Sequence, residues 1–168
     1  MPKWLAIFSV LLISTSPVSA GEKGVAGTII VHAPKKLVWE TVCDTKSFDD
    51  TLQSTSGNQA IVEQKLSSLP IMGQTTVLLR TTVFPQERIE YELIKSDRLK
   101  ALSGTWTLTK IDENRTKVSL TSFVDPGLPV PRILVNHFAA GRLRQRLRLV
   151  KTLAENAHLK THKTAHAH

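Results

Sequence analysis

The sequence predicts an α+β fold in which a curved antiparallel sheet packs against one long C-terminal helix. Three observations support this. Between positions 57 and 125 the chain carries successive segments rich in Val, Ile, Leu and Thr, separated by short turn sequences. After a proline-rich break, residues 131–157 have a helical pattern long enough to lie across a sheet. A strand and short helices come before the sheet segments, which is the order of a two-layer domain.

The N-terminal residues 1–20 have the pattern of a secretory signal peptide. Lys3 precedes an apolar run of about ten residues, which is followed by polar residues and the small-residue site Val18-Ser19-Ala20. An uncleaved anchor is the alternative, but a spanning helix needs roughly 20 apolar residues. We therefore expect an exported protein, periplasmic or secreted, that begins near Gly21. Residues 21–159 are expected to form one domain, and residues 160–168 a His-rich disordered tail.

The first elements of this domain are a strand and two short helices. Residues 27–32 are rich in β-branched side chains and predict a strand. Residues 35–44 carry apolar side chains at i,i+4 spacing, which predicts a helix that buries Cys43. Residues 45–50 are expected to form a second short helix with Phe48 as its apolar anchor. Because Cys43 is the sole cysteine, an internal disulfide is excluded.

The central part of the sequence predicts an antiparallel meander. The connections between its segments are short, as at Pro85-Gln86, and short connections favour antiparallel neighbours. The predicted strands are Gln59–Leu66, Thr75–Phe84, Arg88–Ile94, Gly104–Lys110 and Thr116–Val124.

The final helix is predicted to be amphipathic, with Gly141 as its only interruption. At roughly 100° per residue its sheet-facing side contains Val135, Phe138, Ala139, Leu143, Leu149, Val150, Leu153 and Ala157. The outer side contains Asn136, His137, Ala140, Arg144, Arg148, Lys151 and Glu155. Arg142 and Arg146 project toward the middle of the apolar side.

Several of these segments resemble the SRPBCC superfamily, in particular its START-like members of the coenzyme-Q-binding and polyketide cyclase/dehydrase kinds. The similar segments are the strand with Ala33-Pro34 and the Val38-Trp39-Glu40-Thr41-Val42 helix, Leu102-Ser103-Gly104-Thr105-Trp106-Thr107-Leu108 as an L-x-G-x-W-x-L strand, and Thr116-Lys117-Val118 as T-x-V. The resemblance implies a helix-grip fold, in which a curved sheet grips the long helix with a cavity between them. Members of the superfamily bind lipids, sterols, quinones, polyketides or plant hormones, and some catalyse cyclisation or dehydration. No catalytic motif of the superfamily is matched.

The residues that we expect to line such a cavity are Phe48, Tyr91, Phe123, Phe138, Arg142, Arg146 and Leu149. For the aromatic residues the alternative is an ordinary place in the core. For the two arginines one reading is contact with a ligand's carboxylate, phosphate or carbonyl. The other is that they extend to water or pair with acids on the sheet such as Glu90 or Glu92. Trp106 is expected to be structural.

The formal net charge of +8 raises the question of anionic partners. The basic residues of the final helix suggest transient contact with an anionic membrane surface, and a solvated helix face is the alternative. Export argues against nucleic-acid binding. The His-rich tail lacks acidic neighbours that would support a metal site, so we expect no metal and no cofactor, and a monomer.

Three functions remain open from the sequence. The first is a carrier or sensor of a hydrophobic small molecule that is lipid-, quinone- or polyketide-like. The second is a cyclase or dehydratase that uses the same cavity, although few titratable groups are expected there. The third is an interaction module that docks on anionic membranes through its basic helix.

Overall fold

The computed structural model describes residues 24–44, 50–69 and 73–165 and has one antiparallel sheet of seven strands and two helices. Along the chain these elements are β1 Val25–Val31, α1 Lys35–Cys43, β2 Asp50–Ser56, β3 Gln59–Leu69, β4 Gly73–Phe84, β5 Arg88–Ser96, β6 Ala101–Asp112, β7 Arg115–Asp125 and α2 Arg132–Ala165. The sheet order is β1-β7-β6-β5-β4-β3-β2, so β2 to β7 form a continuous meander and β1 adds to its far edge. The sheet is curved around the long helix, which confirms the predicted helix-grip architecture.

The two faces of the sheet follow from its register. Gly27 pairs with Leu120, and a Cβ built on Gly27 would lie 2.5 Å from Leu143 of α2, so this row of residues faces the helix. Alternate residues of each strand share a face. We call the face toward α2 the inner face and the opposite one the outer face. Between Leu78 and Leu79 the β4–β5 register shifts by one residue and leaves Ile94 of β5 without a partner in β4, which is a bulge of the kind that bends strands.

The main core lies between the inner face and the two helices. The described residues of α2 that are buried in it are Leu143, Leu147, Val150 and Ala154. They pack with sheet residues such as Trp106, Leu108, Val118 and Leu120 and with Val38 and Val42 of α1. The helix therefore packs mainly on β1, β7 and α1.

The segments that resemble the START-like family have structural roles. Leu102, Trp106 and Leu108 are buried on the inner face of β6. The buried Thr116 hydroxyl donates to the Ala33 carbonyl at 2.9 Å, which ties β7 to the chain between β1 and α1. Trp106 is 5% exposed and belongs to the core, as predicted.

Several local predictions were wrong. Asp50 begins β2, a strand that the sequence did not predict, because six of the seven residues of this edge strand are exposed and mostly polar. The rest of the predicted second helix, including Phe48, lies outside the described residues. Cys43 is exposed rather than buried, since α1 buries its Val38 and Val42 stripe instead.

The final helix also differs from its prediction in length and face. It ends at Ala165 rather than Ala157, and so extends into the segment expected to be a disordered tail. Leu147 and Ala154, which were not assigned to the apolar side, are among its most buried residues. Lys151 and Glu155, which were assigned to the outer side, contact the end of β1. The Lys151 Nζ donates to the Ile30 carbonyl at 2.8 Å, and the Glu155 carboxylate accepts from the His32 amide at 2.7 Å.

Within the described part of the chain, neither helix has the combination of length and apolar character that a membrane span requires.

Candidate functional site

The inner face carries a second apolar cluster beside the main core. Its buried members are Leu66, Val77, Leu79, Leu99 and Leu102, and Leu93 and Val124 pack against it. No described residue of α2 belongs to this cluster, whereas four belong to the main core. Tyr91 packs against both clusters and so marks the boundary between them. The inner face is thus divided into a half that α2 covers and a half that it does not pack against.

Polar side chains lie close to this boundary. Asp50 at the start of β2 pairs in register with Gln64 of β3, and the Gln64 Nε2 donates to the Asp50 Oδ1 at 2.7 Å. The Arg146 Nη2 from α2 approaches the same oxygen at 3.5 Å. The side chains of Arg146 and Asp50 are only 20% and 12% exposed, and Gln64 is 5% exposed. A charged contact therefore spans the space between the helix and the edge of the sheet.

Arg142 lies one helical turn before Arg146 and shares its environment. Burial, together with the positive charge of Arg146, lowers the pKa of Arg142 to about 10, and the attraction of Asp50 does not offset these effects. Burial raises the pKa of Asp50 although Arg146 and Gln64 act in the opposite direction. Both shifts show that the charged forms are incompletely solvated there.

Tyr91 is held against β6 and β7. It pairs with Gly104, and its hydroxyl donates to the Thr121 carbonyl at 3.3 Å. A Cβ on Gly104 would lie 2.2 Å from the Tyr91 hydroxyl oxygen, so the glycine of the L-x-G-x-W-x-L strand provides the space for the phenol ring. Burial raises the pKa of Tyr91, which keeps the phenol protonated at neutral pH.

The structure brings together only some of the expected site residues. Arg142, Arg146 and Tyr91 lie near one another at the boundary on the inner side. Phe138 and Leu149 are partly buried, and their spacing from Arg142 and Arg146 places them on the same side of α2. Phe48 lies outside the described residues.

Phe123 is a correction to the prediction. It pairs with Ser103 and alternates with Val124, which packs against the second cluster, so Phe123 faces the outer side. There the Arg132 guanidinium stacks over its ring at 4.5 Å. The sequence could not assign the face because both neighbours of Phe123 in β7, Ser122 and Val124, fit either side.

The alternative that the arginines pair with acids on the sheet holds for Arg146, but the acid is Asp50 rather than Glu90 or Glu92. Both glutamates lie on the outer face, where Glu90 binds Arg88 at 2.8 Å and Glu92 binds Arg80 at 2.7 Å. Arg146 contacts Asp50, whose Oδ1 also accepts from the Gln64 Nε2. Sequence reasoning missed these two residues because it did not predict β2, and only the β2–β3 register aligns them.

An open depression of about 560 Å³ lies on the outer face of the sheet. Half of its lining residues are polar residues that point outward: Arg80, Thr82, Glu90, Glu92, Ser103, Thr105 and Thr121. Its aromatic lining residues are Phe123 and Tyr91. Its three charged lining residues already form ion pairs, Arg80 with Glu92 and Glu90 with Arg88. It therefore differs in chemistry from an apolar binding cavity.

The basic residues of α2 do not form one outer face. Arg142 and Arg146 face the sheet, Lys151 binds the end of β1, and Arg132 donates to the Val124 carbonyl at 3.0 Å. Arg144 and Arg148 remain exposed, as predicted. The continuous basic helix face that the sequence suggested for docking on an anionic membrane is therefore not present among the described residues of α2.

Comparison with solved structures identifies the fold. The chain is similar to TTHA0849 from Thermus thermophilus, with a TM-score of 0.72 and 16% identity over 80% of this chain and 99% of that one. The aromatase/cyclase Zhui from a Streptomyces species matches with a TM-score of 0.63 and 20% identity over 79% of this chain and 93% of that one. A START superfamily protein from Mycobacterium smegmatis matches with a TM-score of 0.61 and 15% identity over 82% and 97%.

These likenesses define the class of protein by fold: the chain has the START-like helix-grip fold. Because the sequence identities are 20% or less, these structures show the fold of this chain and do not identify a substrate. Neither a protein-family model nor a curated protein sequence matches the chain.

Proposed function

We propose that this protein is an exported carrier or sensor that binds a hydrophobic small molecule, lipid-, quinone- or polyketide-like, between the inner face of the sheet and α2. The observation that carries the proposal is the divided inner face. Among the described residues, one half is packed by α2, and the other half contains the second, buried apolar cluster, with Tyr91, Arg142 and Arg146 at its boundary. The fold supports the same conclusion, because helix-grip proteins with START and cyclase names are among its structural neighbours.

The energetics of such a site are favourable. Removing about 400 Å² of apolar ligand surface from water yields roughly 10 kcal/mol gross. The loss of translational and rotational freedom on binding offsets a large share of this free energy. Micromolar affinity therefore requires a good shape match and an apolar lining, with few polar contacts.

The experiment is native mass spectrometry of the purified protein, followed by extraction and identification of any bound apolar species. The test variant is Leu93→Trp, which adds volume on the inner face beside the second cluster, and the matched control is Leu134→Trp at a site 42% exposed. We expect the wild type and the control to retain the ligand and Leu93→Trp to lose it, with an unchanged circular dichroism spectrum. A wild type that carries no apolar species and binds no apolar probe would contradict the proposal.

An enzyme of the cyclase or dehydratase kind is the second candidate. It is favoured by the titratable groups that lie together at the boundary, namely Tyr91 and the two arginines, which the sequence predicted to line the cavity, and Asp50, which it did not predict. Groups with shifted pKa values inside a cleft are candidates for acid–base roles. Incubation of the protein with its extracted ligand tests this, since dehydration lowers the mass of the ligand by one water molecule. Turnover by the wild type that is lost in Tyr91→Phe and Asp50→Asn would support the enzyme hypothesis. A ligand whose mass stays unchanged would contradict it and support the carrier hypothesis.

Export and membrane delivery complete the proposal. The signal-peptide pattern of residues 1–20 supports export, and cell fractionation with N-terminal sequencing tests it: a mature chain that begins near Gly21 is expected.

Delivery to a membrane would use the exposed Arg144 and Arg148 with the apolar side chains at the start of α2, of which Ile133 is 77% exposed. Flotation with vesicles that contain anionic lipid is expected to recover the wild type more strongly than Ile133→Ser. Equal recovery of both would contradict this route.

A further inference from the structure

The depression on the outer face arises from the sizes of the side chains in two neighbouring rows across the sheet. In one row Thr105 of β6 pairs with Thr121 of β7. In the next row Ser103 lies between Phe123 of β7 and Glu92 of β5. Small side chains thus occupy the middle and larger ones stand beside them, which leaves about 560 Å³ of open space. Small-molecule sites in proteins have volumes of about 300–1,000 Å³, so the depression has the size of a binding site.

The charged groups of the depression are paired with one another. Arg80 binds Glu92 at 2.7 Å, and Arg88 binds Glu90 at 2.8 Å. Arg88 also contacts Glu87, so this end of the depression has no excess of positive charge. Carboxylate oxygens and guanidinium N–H groups can each form further hydrogen bonds after pairing. The pairs can therefore bind neutral hydroxyl groups, whereas an anionic ligand would meet the negative charge of the glutamates.

Three hydroxyl groups in the depression are available to a ligand. Thr82, Ser103 and Thr105 line it and are half-buried. Among the described residues no protein group forms a hydrogen bond with these three hydroxyls, whereas the Thr121 hydroxyl accepts from the Thr105 amide at 3.1 Å. A hydroxyl group both donates and accepts a hydrogen bond. The three groups therefore match a ligand whose own polar groups are hydroxyls.

Phe123 adds an apolar surface to the depression. The Arg132 guanidinium stacks over its ring at 4.5 Å and donates to the Val124 carbonyl at 3.0 Å, which holds the ring in place. The face of an aromatic ring carries partial negative charge and attracts C–H groups. A ligand with both hydroxyl groups and C–H surface would thus find a partner for each.

We propose that the outer depression is a second binding site, which takes a neutral carbohydrate. The sugar hydroxyls bond to Ser103, Thr105 and the Arg80–Glu92 pair, and a C–H face of a sugar ring packs against Phe123. A carbohydrate combines many hydroxyl groups with C–H surface and carries no charge, as this lining requires. None of the lining residues belongs to α2, and the depression lies on the opposite face from the proposed hydrophobic ligand. The inference is therefore independent of the proposed function.

The test is an NMR titration of the isotope-labelled protein with neutral trisaccharides at millimolar concentration. The probes are maltotriose, cellotriose and tri-N-acetylchitotriose, and trigalacturonic acid is the anionic comparison. We expect at least one neutral trisaccharide to shift the backbone amide signals of the β5, β6 and β7 residues that line the depression. Trigalacturonic acid should bind about 10-fold more weakly, because its carboxylates approach Glu90 and Glu92.

The test variant is Thr105→Val, which removes one hydroxyl and keeps a β-branched side chain suited to a strand. Loss of this hydrogen bond should weaken carbohydrate binding by about 3- to 10-fold. The matched control is Thr109→Val. Thr109 also points outward from β6, since it follows the buried Leu108, but it is exposed and does not line the depression. Its substitution should leave binding unchanged.

A second variant, Ser103→Trp, fills the middle of the depression and should abolish binding, with an unchanged circular dichroism spectrum. Absence of shifts in the depression with all three neutral trisaccharides would overturn the proposal. Equal binding by Thr105→Val and the wild type, or shifts confined to the inner face, would overturn the location of the site. Tighter binding of trigalacturonic acid would overturn the assignment of a neutral ligand. Because the inner face is not involved, none of these results would affect the proposed binding of a hydrophobic molecule there.

Discussion

The substitution Gly104→Ala tests how the inner face is constructed. A Cβ at this position would lie 2.2 Å from the Thr121 carbonyl oxygen, 2.2 Å from the Tyr91 hydroxyl and 2.4 Å from the ring carbon that bears it. Ordinary contacts require about 1 Å more. The Thr121 carbonyl belongs to the backbone of β7, which pairs with β6, so it cannot retreat without weakening the sheet.

The expected cost combines two terms. Overpacking of a well-packed interior costs about 1–3 kcal/mol, and a weakened ladder hydrogen bond adds about 1 kcal/mol. Gly104→Ala should therefore lower the free energy of unfolding by about 3 kcal/mol, which corresponds to a fall of about 1–2 M in the urea midpoint. The midpoint is measured by circular dichroism and by the fluorescence of the buried Trp106.

Two further glycine-to-alanine variants serve as controls for the urea midpoint of Gly104→Ala. An added Cβ on Gly141 meets nothing within 4 Å and removes a flexible residue from a helix interior, so Gly141→Ala should stabilise the protein by about 0.5–1 kcal/mol. The atoms nearest to an added Cβ on Gly27 are in the side chains of Leu143 and Leu147, whose ends can move, so Gly27→Ala should cost about 1 kcal/mol. A midpoint for Gly104→Ala equal to that of the wild type would refute the proposed packing of Tyr91 against β6.

Three other predictions concern the helices. Burial raises the pKa of Glu155, but hydrogen bonds from Lys151 and from the end of β1 outweigh it and hold that pKa below its ordinary value. The stabilisation is therefore present above the unfolded pKa of about 4.3 and is lost as the pH falls through the folded value. Glu155→Gln should cost about 1 kcal/mol at neutral pH, and the difference from the wild type should vanish in acid; a constant difference across a series of urea titrations would contradict this. Leu143, 3% exposed, should lose about 2–5 kcal/mol on replacement by Ala, whereas the same change at the 42% exposed Leu134 should stay within about 0.5 kcal/mol by the same assay. Although Cys43 as a whole residue is exposed, partial burial of its thiol raises the thiol's pKa to about 11, so its reaction with a disulfide reagent near pH 8 should be about 100-fold slower than in the urea-unfolded protein; equal rates would contradict the shift.

The failures of sequence reasoning at the site share one cause. Arg142 and Arg146 were found because helical periodicity places them among apolar residues of one helix. Asp50, which contacts Arg146, was not found, because it lies in an edge strand whose mostly polar sequence has no alternation of apolar and polar residues. Gln64 faces inward only because the β2–β3 and β3–β4 registers align it with Asp50 and Val77.

The assignment of faces shows the same limit. Alternation predicts that Phe123 and Val124 point to opposite sides of β7, but not which of them faces the helix. The register with β6 decides this, since Val124 pairs with the buried Leu102 and Phe123 pairs with Ser103. Likewise, a helical count placed Lys151 and Glu155 outside, and only the position of β1 brings the His32 amide within 2.7 Å of the Glu155 carboxylate.

Local sequence patterns were enough to predict the order of most elements, the antiparallel meander and the long closing helix, because periodicity, turn residues and β-branched composition act over short distances along the chain. The START-like strand and helix segments also follow from it, since Trp106, Leu108 and Val118 must be buried wherever the sheet lies. Three features could be read only from the folded chain: which half of the inner face α2 covers, that Asp50 contacts Arg146, and which aromatic residues face inward. These features depend on strand register and on packing between residues far apart in sequence, such as Asp50 and Arg146. Short-range sequence patterns contain no information about either.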